Sequence, residues 1–415
     1  MHACGAFRIC VAAASLIALS VPAAARADAV TDWNVRAGTA LAVTGRQSPT
    51  AASLHMAMVH GAIYDAVNGI DRGHRPYLVL PDAQPWDSVD AAVATAAYRV
   101  LAALVPDQQP ALAATYTTAL ATVPEGPAKD GGIAAGDDAA AAMIAARTND
   151  GRFGPFRFTG SLGIGMWRPE LPLFLSDPFA WVGFVEPFLI PTAEQFRTDG
   201  PNGVTTAEYA ADFAEVKSLG SRNSTTRTPD QTEQALFWGA EHGTLLLGRF
   251  VRTIAADQQL SPVEDARLFA LVTLTSADAN ISCWNDKAYW SFWRPQTAIR
   301  LAAADGNPET DADPGWEPLL PTPPFPDHPS GHSCGSGSIV ATLQNYFGTD
   351  RIAFTAFSAG SGTSRSYTRL SQAIKEIIDA RIYAGIHFRA ADEQGAVLGK
   401  KVAHWVEKHH ILAPN

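Results

Sequence analysis

Three short segments in the second half of the chain concentrate side chains that can hold a tetrahedral oxyanion and react with it. They provide three cations, a hydroxyl, a glycine amide and two histidines, namely Lys287, Arg294, Ser330, Gly331, His332, Arg381 and His387. Cations and glycine amides at helix starts bind anions, and histidine exchanges protons near neutral pH. The set therefore predicts an oxyanion site with acid-base or nucleophilic chemistry.

The first segment carries Lys287 and Arg294, which are seven residues apart. This spacing is close to two helical turns, so both cations are predicted on one face of a helix over 286–303. Pro295 would kink that helix or end its first part. A solvated cationic face is the alternative. Four large aromatic residues between the two cations favour burial, where an unpaired cation is costly, and so a bound anion is expected.

The second segment, Ser330-Gly331-His332, follows a proline-rich approach and precedes a helical pattern. Gly331 would let an anion reach backbone amides at a helix start, where the helix dipole also favours negative charge. An ordinary turn with an N-cap is one alternative. A metal-binding pair of His328 and His332 is another, but it needs a helix, which Pro329 and Gly331 disfavour.

The third segment carries Arg381 and His387, six residues apart. On one continuous helix they would point about 120° apart, so they can face one site only if the helix breaks between them. Gly385 predicts that break, with a new helix beginning near His387. A histidine simply packed between helices is the alternative for His387.

Apolar spacing predicts an all-α chain. We expect an N-terminal helical bundle over 28–150, an ordered wrap rich in Gly, Pro and aromatic residues over 151–203, and further helices over 204–415. The predicted helices span residues 50–70, 89–104, 111–122, 131–147, 207–219, 230–256, 262–282, 286–303, 335–347, 367–384 and 387–409.

The N-terminus predicts a secretory signal peptide over 1–27, because Arg8 precedes an apolar run that ends in the small-x-small pattern Ala25-Arg26-Ala27. A membrane anchor is the alternative, although the run is shorter than the ~20 residues that span a bilayer. The protein is therefore expected to be secreted or periplasmic. Cys283 and Cys334 could then form a disulfide or remain buried thiols. The net charge of −10 argues against nucleic acid and anionic membranes as partners.

The order Lys-x6-Arg-Pro, Pro-Ser-Gly-His and Arg-x5-His resembles the three-part signature of the type 2 phosphatidic acid phosphatase and vanadium haloperoxidase superfamily. Residues 56–68 and 227–232 are similar to the bacterial secreted vanadium-dependent haloperoxidases, so the resemblance covers nearly the whole chain after residue 27. It implies an all-α fold of two helical bundles, with the oxyanion site in the C-terminal bundle.

The resemblance also implies residue roles. Those that would hold vanadate are Lys287, Arg294, Ser330, Gly331 and Arg381, while His332 and His387 would be catalytic and His387 would also bond vanadium. Vanadium would act as a Lewis acid on hydrogen peroxide, which then oxidises a halide. In a phosphatase, which needs no vanadate, His387 would instead form a phosphohistidine and His332 would protonate the leaving alcohol. A non-catalytic oxyanion-binding protein is the third hypothesis.

Two positions depart from the family pattern. Ala380 and Ala391 stand where the family often has Ser and Asp, and Asp392 comes one residue late. A phosphatase needs a carboxylate to orient its nucleophilic histidine, so this departure favours the peroxidase hypothesis. Phe325, seven residues before His332, matches a position that is aromatic in chloride-oxidising relatives.

Overall fold

The computed structural model describes Met1, residues 28–170 and residues 174–409, so the predicted signal peptide lies outside the described residues and stays a prediction. The described ranges contain thirteen α-helices: α1 Ala29–Gly38, α2 Pro49–Asp71, α3 Val89–Leu104, α4 Gln109–Leu120, α5 Pro127–Ala146, α6 Ala207–Leu219, α7 Pro229–Gly239, α8 Gly243–Asp257, α9 Pro262–Trp290, α10 Pro295–Leu301, α11 Gly331–Phe347, α12 Leu370–Tyr383 and α13 Arg389–His409. None of these helices is both long enough and apolar enough to cross a membrane.

The all-α prediction is confirmed, apart from one hairpin that the sequence did not predict. Strands β1 (Phe354–Ser358) and β2 (Thr363–Tyr367) pair antiparallel, with Phe354 opposite Tyr367. The Phe354 side chain packs against Phe250 of α8 at a ring distance of 4.8 Å. The hairpin is short because it covers one side of the helical core rather than forming a core of its own.

Side-chain caps fix where the principal helices begin. Ser261 and Glu264 form a reciprocal capping box at the start of α9, and Ser330 caps α11 by accepting a hydrogen bond from the Ser333 amide. Each cap satisfies backbone donors that have no partner inside the helix. The start of α11 therefore falls at the Ser-Gly-His segment, as the sequence predicts.

Helix α9 connects the two halves of the molecule. It packs against α2, which lies with α3 and α5, and also against α11, which lies with α12 and α13. One continuous hydrophobic core runs through both helix groups. The boundaries of the two predicted bundles, 28–150 and 204–415, therefore remain predictions. Both helix groups pack against α9.

Two predicted helices, 230–256 and 286–303, are interrupted in the structure, and a third, 262–282, is eight residues too short. Residues 230–256 form α7 and α8, separated by a break that ends at His242, whose backbone is extended. The second error concerns the predicted helix over 286–303. Helix α9 continues to Trp290 and stops at Ser291, which has a left-handed φ of 43°. Arg294 then precedes Pro295 in an extended conformation, as proline requires of its neighbour. Lys287 and Arg294 therefore do not share one helix face.

In the predicted wrap over 151–203, the described residues 151–170 and 174–203 lie mostly outside helices and strands, and the wrap as a separate segment stays a prediction. Trp167 and Trp181 are buried, whereas Phe153 stays exposed, so only part of its aromatic content supports the core. The buried Asp278 carboxylate of α9 accepts hydrogen bonds from three consecutive backbone amides of the wrap, at residues 188–190, over 2.6–2.9 Å. This carboxylate fixes the wrap to α9.

Replacing Asp278 by Ala should lower the free energy of unfolding by about 3 kcal/mol, because three buried amides lose an anionic acceptor. Urea unfolding followed by circular dichroism measures this change. Asp137→Ala is the control, since it removes an exposed ion pair with Arg99 and should change stability by less than about 0.5 kcal/mol. Equal effects of the two substitutions would contradict the anchoring role of Asp278.

Candidate oxyanion site

Lys287 lies in the last turn of α9 with a fully buried side chain. Its ammonium donates to the backbone carbonyls of Pro326, Asp327 and Pro329 at 2.7, 2.9 and 2.5 Å. All three of its protons are therefore used by the loop before α11. Lys287 fixes this loop and contributes positive charge, and its predicted direct grip on an oxyanion stays a prediction.

Arg294 joins the second and third segments. Its Nε donates to the Phe325 carbonyl at 2.8 Å and its Nη1 to the Ile386 carbonyl at 2.7 Å. The same Nη1 lies 3.1 Å from His387 Nε2. Its Nη2 is buried without a hydrogen-bond partner. Arg294 therefore holds two distant loops together and keeps one donor free.

Ser330, Gly331 and His332 lie at the start of α11, as predicted. A Cβ atom at position 331 would come within 2.5 Å of the Trp284 ring, so packing also requires glycine there, besides any approach by an anion. His332 Nε2 is buried and has no partner. The start of α11 thus presents a hydroxyl, a glycine and an unpaired imidazole nitrogen.

The predicted break in the third segment is confirmed. Helix α12 ends at Tyr383, Gly385 has a φ of 79°, and α13 begins at Arg389. His387 therefore lies in the connection between the helices, two residues before the new one. Arg381 lies in the last turn of α12, and its Nε is buried without a partner.

A carboxylate that the sequence did not identify contacts His387. Asp327 Oδ1 lies 2.8 Å from His387 Nδ1 and 3.8 Å from Arg294 Nη1, and Asp327 is almost fully buried. Ala391 therefore does not leave His387 without a carboxylate partner, so the argument against a phosphatase that rests on Ala391 does not hold. Asp327 is the single acidic residue in the proline-rich run before Ser330, and this was the sequence signal that could have identified it.

Asp392 has a different role. Its carboxylate accepts a hydrogen bond from the Ser333 hydroxyl at 2.7 Å. Burial raises the pKa of Asp392 to about 7, and hydrogen bonds from Ser330 and Ser333 oppose that rise. Asp392 therefore stabilises the first turn of α11. Asp327, rather than Asp392, contacts His387.

Burial dominates the electrostatics of the site. It lowers the pKa of Lys287 to about 8 and that of Arg294 to about 10, and it raises the pKa of Asp327 to about 8. Burial, reinforced by the neighbouring cations, also lowers the pKa of His387 and of His332 well below the usual range. Both imidazoles are therefore neutral near neutral pH, and each keeps a lone pair.

The site fits vanadate or another tetrahedral oxyanion. Among the described residues, Arg294 Nη2 and Arg381 Nε are buried donors without an acceptor, and His332 Nε2 is buried without a partner. A buried polar atom without a partner costs free energy, which an anionic ligand at this position would recover. The Phe325 ring packs against both cations, with its centroid 5.1 Å from Lys287 Nζ and 4.8 Å from Arg294 Cζ.

Cys283 and Cys334 are free, buried thiols.

Residues 267–412, which contain all three segments, match the family model of the second helical-bundle domain of vanadium chloroperoxidase (VCPO). A 188-residue stretch is 34% identical to the vanadium chloroperoxidase of Curvularia inaequalis, covering 37% of this chain and 30% of that protein's length. The resemblance to the vanadium haloperoxidase superfamily that the sequence predicts is therefore confirmed over residues 267–412.

Solved structures of this superfamily share the fold over most of their length. A bacterial vanadium-dependent iodoperoxidase superposes with a TM-score of 0.80 and 23% identity, covering 92% of this chain and 97% of its own. A holo-type bacterial vanadium-dependent chloroperoxidase gives a TM-score of 0.71 and 17% identity, over 89% and 94% of the two chains. The all-α helical-bundle fold of the vanadium haloperoxidase superfamily therefore extends well beyond residues 267–412.

Oxyanion affinity should fall as pH rises through the Lys287 pKa of about 8. The protonated ammonium attracts the anion, so deprotonation should weaken binding about tenfold between one unit below and one unit above that pKa. Calorimetric titration with molybdate measures this, since its charge stays constant from neutral to alkaline pH. Lys287→Arg remains charged and should reduce the pH dependence to the part that Asp327, whose pKa is also about 8, contributes. A constant affinity in the original protein, or the same loss in the variant, would contradict the assignment.

Proposed function

We propose that this chain is a vanadate-dependent haloperoxidase that uses hydrogen peroxide to oxidise a halide. The observation that carries the proposal is that three buried nitrogens, on Arg294, Arg381 and His332, have no hydrogen-bond partner in the described part of the chain and lie close to a neutral His387. The similarity to vanadium chloroperoxidase supports vanadate as the oxyanion.

The chain's own residues would hold vanadate in distinct ways. Asp327 Oδ1 lies 2.8 Å from His387 Nδ1, and Arg294 Nη1 lies 3.1 Å from Nε2. With the proton on Nδ1, the Nε2 lone pair would turn to vanadium once Arg294 donates to the vanadate oxygens instead. Arg294 and Arg381 would donate to the vanadate oxygens with their unpaired nitrogens, together with Ser330 and the Gly331 amide. When bound, vanadate supplies Lewis-acid activation of peroxide without a change in its own oxidation state.

His332 is the acid-base group in this proposal. Its Nε2 has no protein partner, and both burial and the Arg381 charge keep its pKa low, so the nitrogen can accept a proton from incoming peroxide. The resulting imidazolium, next to Arg381, returns the proton readily to a departing oxygen. Its side chain lines the cavity through which peroxide and halide would enter.

Acid phosphatase activity is the second candidate, and the Asp327 contact favours it. A carboxylate at Nδ1 raises the nucleophilicity of His387 Nε2 and balances the charge that a phosphohistidine develops. The donors that would hold vanadate would also stabilise the phosphoryl transition state, because both carry negative charge on oxygens that accept from cationic donors. The two activities therefore need to be separated by experiment.

Vanadate should affect the two activities in opposite directions. We expect vanadate-loaded protein to oxidise iodide or bromide with peroxide, and vanadate-free protein to show no such activity. Triiodide absorbance and dye bromination measure it. A phosphatase would instead hydrolyse p-nitrophenyl phosphate without vanadate and be inhibited by it. Hydrolysis of this kind, with no halide oxidation, would replace the first proposal by the second.

His387→Ala and His332→Ala should each lower the halide-oxidation rate at least about a hundredfold, since one removes the vanadium ligand and the other the proton-transfer group. His404→Ala on α13, where the imidazole is half exposed, is the matched control and should leave the rate unchanged. Retained activity in both site variants would contradict these roles, whereas a non-catalytic oxyanion-binding protein would bind vanadate and show no halide oxidation even in the original chain.

A further inference from the structure

The connection between α9 and α10 is paired with a segment that lies far earlier in the chain. The Trp167 amide donates to the Ser291 carbonyl at 2.7 Å, and the Trp293 amide donates to the Gly165 carbonyl at 2.9 Å. Both tryptophan side chains are fully buried. Because this pairing ends directly before Arg294, the earlier segment helps to determine where that arginine lies.

Glu170, three residues after Trp167, reaches the first turn of α10. Its carboxylate accepts a hydrogen bond from the Thr297 hydroxyl. Arg294 is the N-cap residue of α10, and its own side chain makes no capping hydrogen bond. Glu170 therefore holds the start of the helix that follows Arg294.

Glu170 also interacts with Arg294 through its charge. Burial raises the pKa of Glu170, whereas hydrogen bonds from Thr297 and the positive charges of Arg294 and Arg300 oppose that rise. Burial lowers the pKa of Arg294 to about 10, and nearby carboxylates, Glu170 among them, oppose that fall. The carboxylate in ion-pair contact with Arg294 is Asp327, at 3.8 Å. Glu170 therefore acts on Arg294 from a greater distance.

The position of Glu170 separates its charge from the ligand. Asp327 contacts His387, and Asp392 accepts a hydrogen bond from Ser333, so both of these carboxylates belong to the three segments that form the site. Glu170 lies outside these segments. A fixed negative charge there reduces the attraction of Arg294 for an anion, and the repulsion grows in proportion to the charge of the ligand. A doubly charged oxyanion is therefore disfavoured more than a singly charged one.

We propose that Glu170 is a positioning residue for Arg294 whose charge makes the site favour singly charged over doubly charged oxyanions. Its hydrogen bond with Thr297 fixes the start of α10, and its carboxylate lowers the positive potential around Arg294. The inference rests on the proposed function, of which it uses only the binding of an oxyanion beside Arg294.

The charge effect can be measured by calorimetric titration of the vanadate-free protein with two tetrahedral ions, singly charged perrhenate and doubly charged molybdate. Glu170→Gln keeps an acceptor for Thr297 and loses the charge. It should tighten molybdate binding about fivefold and perrhenate binding about twofold, because the Coulomb energy doubles with the ligand charge. Glu208→Gln makes the same change at an exposed position of α6 and is the matched control, with both affinities unchanged.

Glu170→Ala also removes the charge and should raise the ratio of molybdate to perrhenate affinity in the same direction, so misfolding of one variant does not decide the result. A purely structural role for Glu170 would instead change both affinities by the same factor. An unchanged or lower ratio in the folded variants overturns the proposal.

The positioning effect is tested by Thr297→Val, which removes the hydroxyl and keeps the Glu170 charge. It should weaken both ions alike by about threefold, because the start of α10 loses a hydrogen bond. Unchanged affinity for both ions would contradict the positioning of Arg294 by Glu170. If neither ion binds the original chain, the oxyanion site itself is rejected and the proposed function with it. Failure of the Glu170 proposal alone leaves oxyanion binding intact.

Discussion

Burial of two cations, Lys287 and Arg294, is the constraint on which the rest of the site depends. Both side chains are fully buried, where a charge without partners is strongly destabilising. Backbone carbonyls of the 325–329 loop and of Ile386 accept hydrogen bonds from the two cations and so compensate their buried charge. These carbonyls can reach the cations only if both loops come to the end of α9. The cations thereby position the start of α11 and the connection that carries His387.

The same burial determines the chemistry available at the site. It keeps His332 and His387 neutral, with lone pairs that a proton or a vanadium centre can use. It also leaves donors on Arg294 and Arg381 without acceptors, so the folded protein favours the binding of an anion next to them. The cavity that adjoins the anion site has a mostly apolar wall.

Local rules predicted much of the fold. Helix starts at Ser261 and Ser330 follow from capping chemistry, and the break at Gly385 follows from the positive φ that glycine accepts. The long helix 262–290 was underestimated, since apolar spacing is weak where a helix is buried on all sides. The β-hairpin over 354–367 was missed because its short strands gain stability mainly by packing on α8.

The sequence by itself determined which groups are present: three cations, two histidines, a hydroxyl and a glycine at helix boundaries, with the family signature that their order forms. Only the tertiary structure decided how these groups are paired. It directed Lys287 to backbone carbonyls, left Arg294 and Arg381 with free donors, and brought Asp327 to His387. Spacing along the chain cannot reveal these pairings, because they join irregular loops whose paths are fixed by long-range packing and by the need to compensate buried charge.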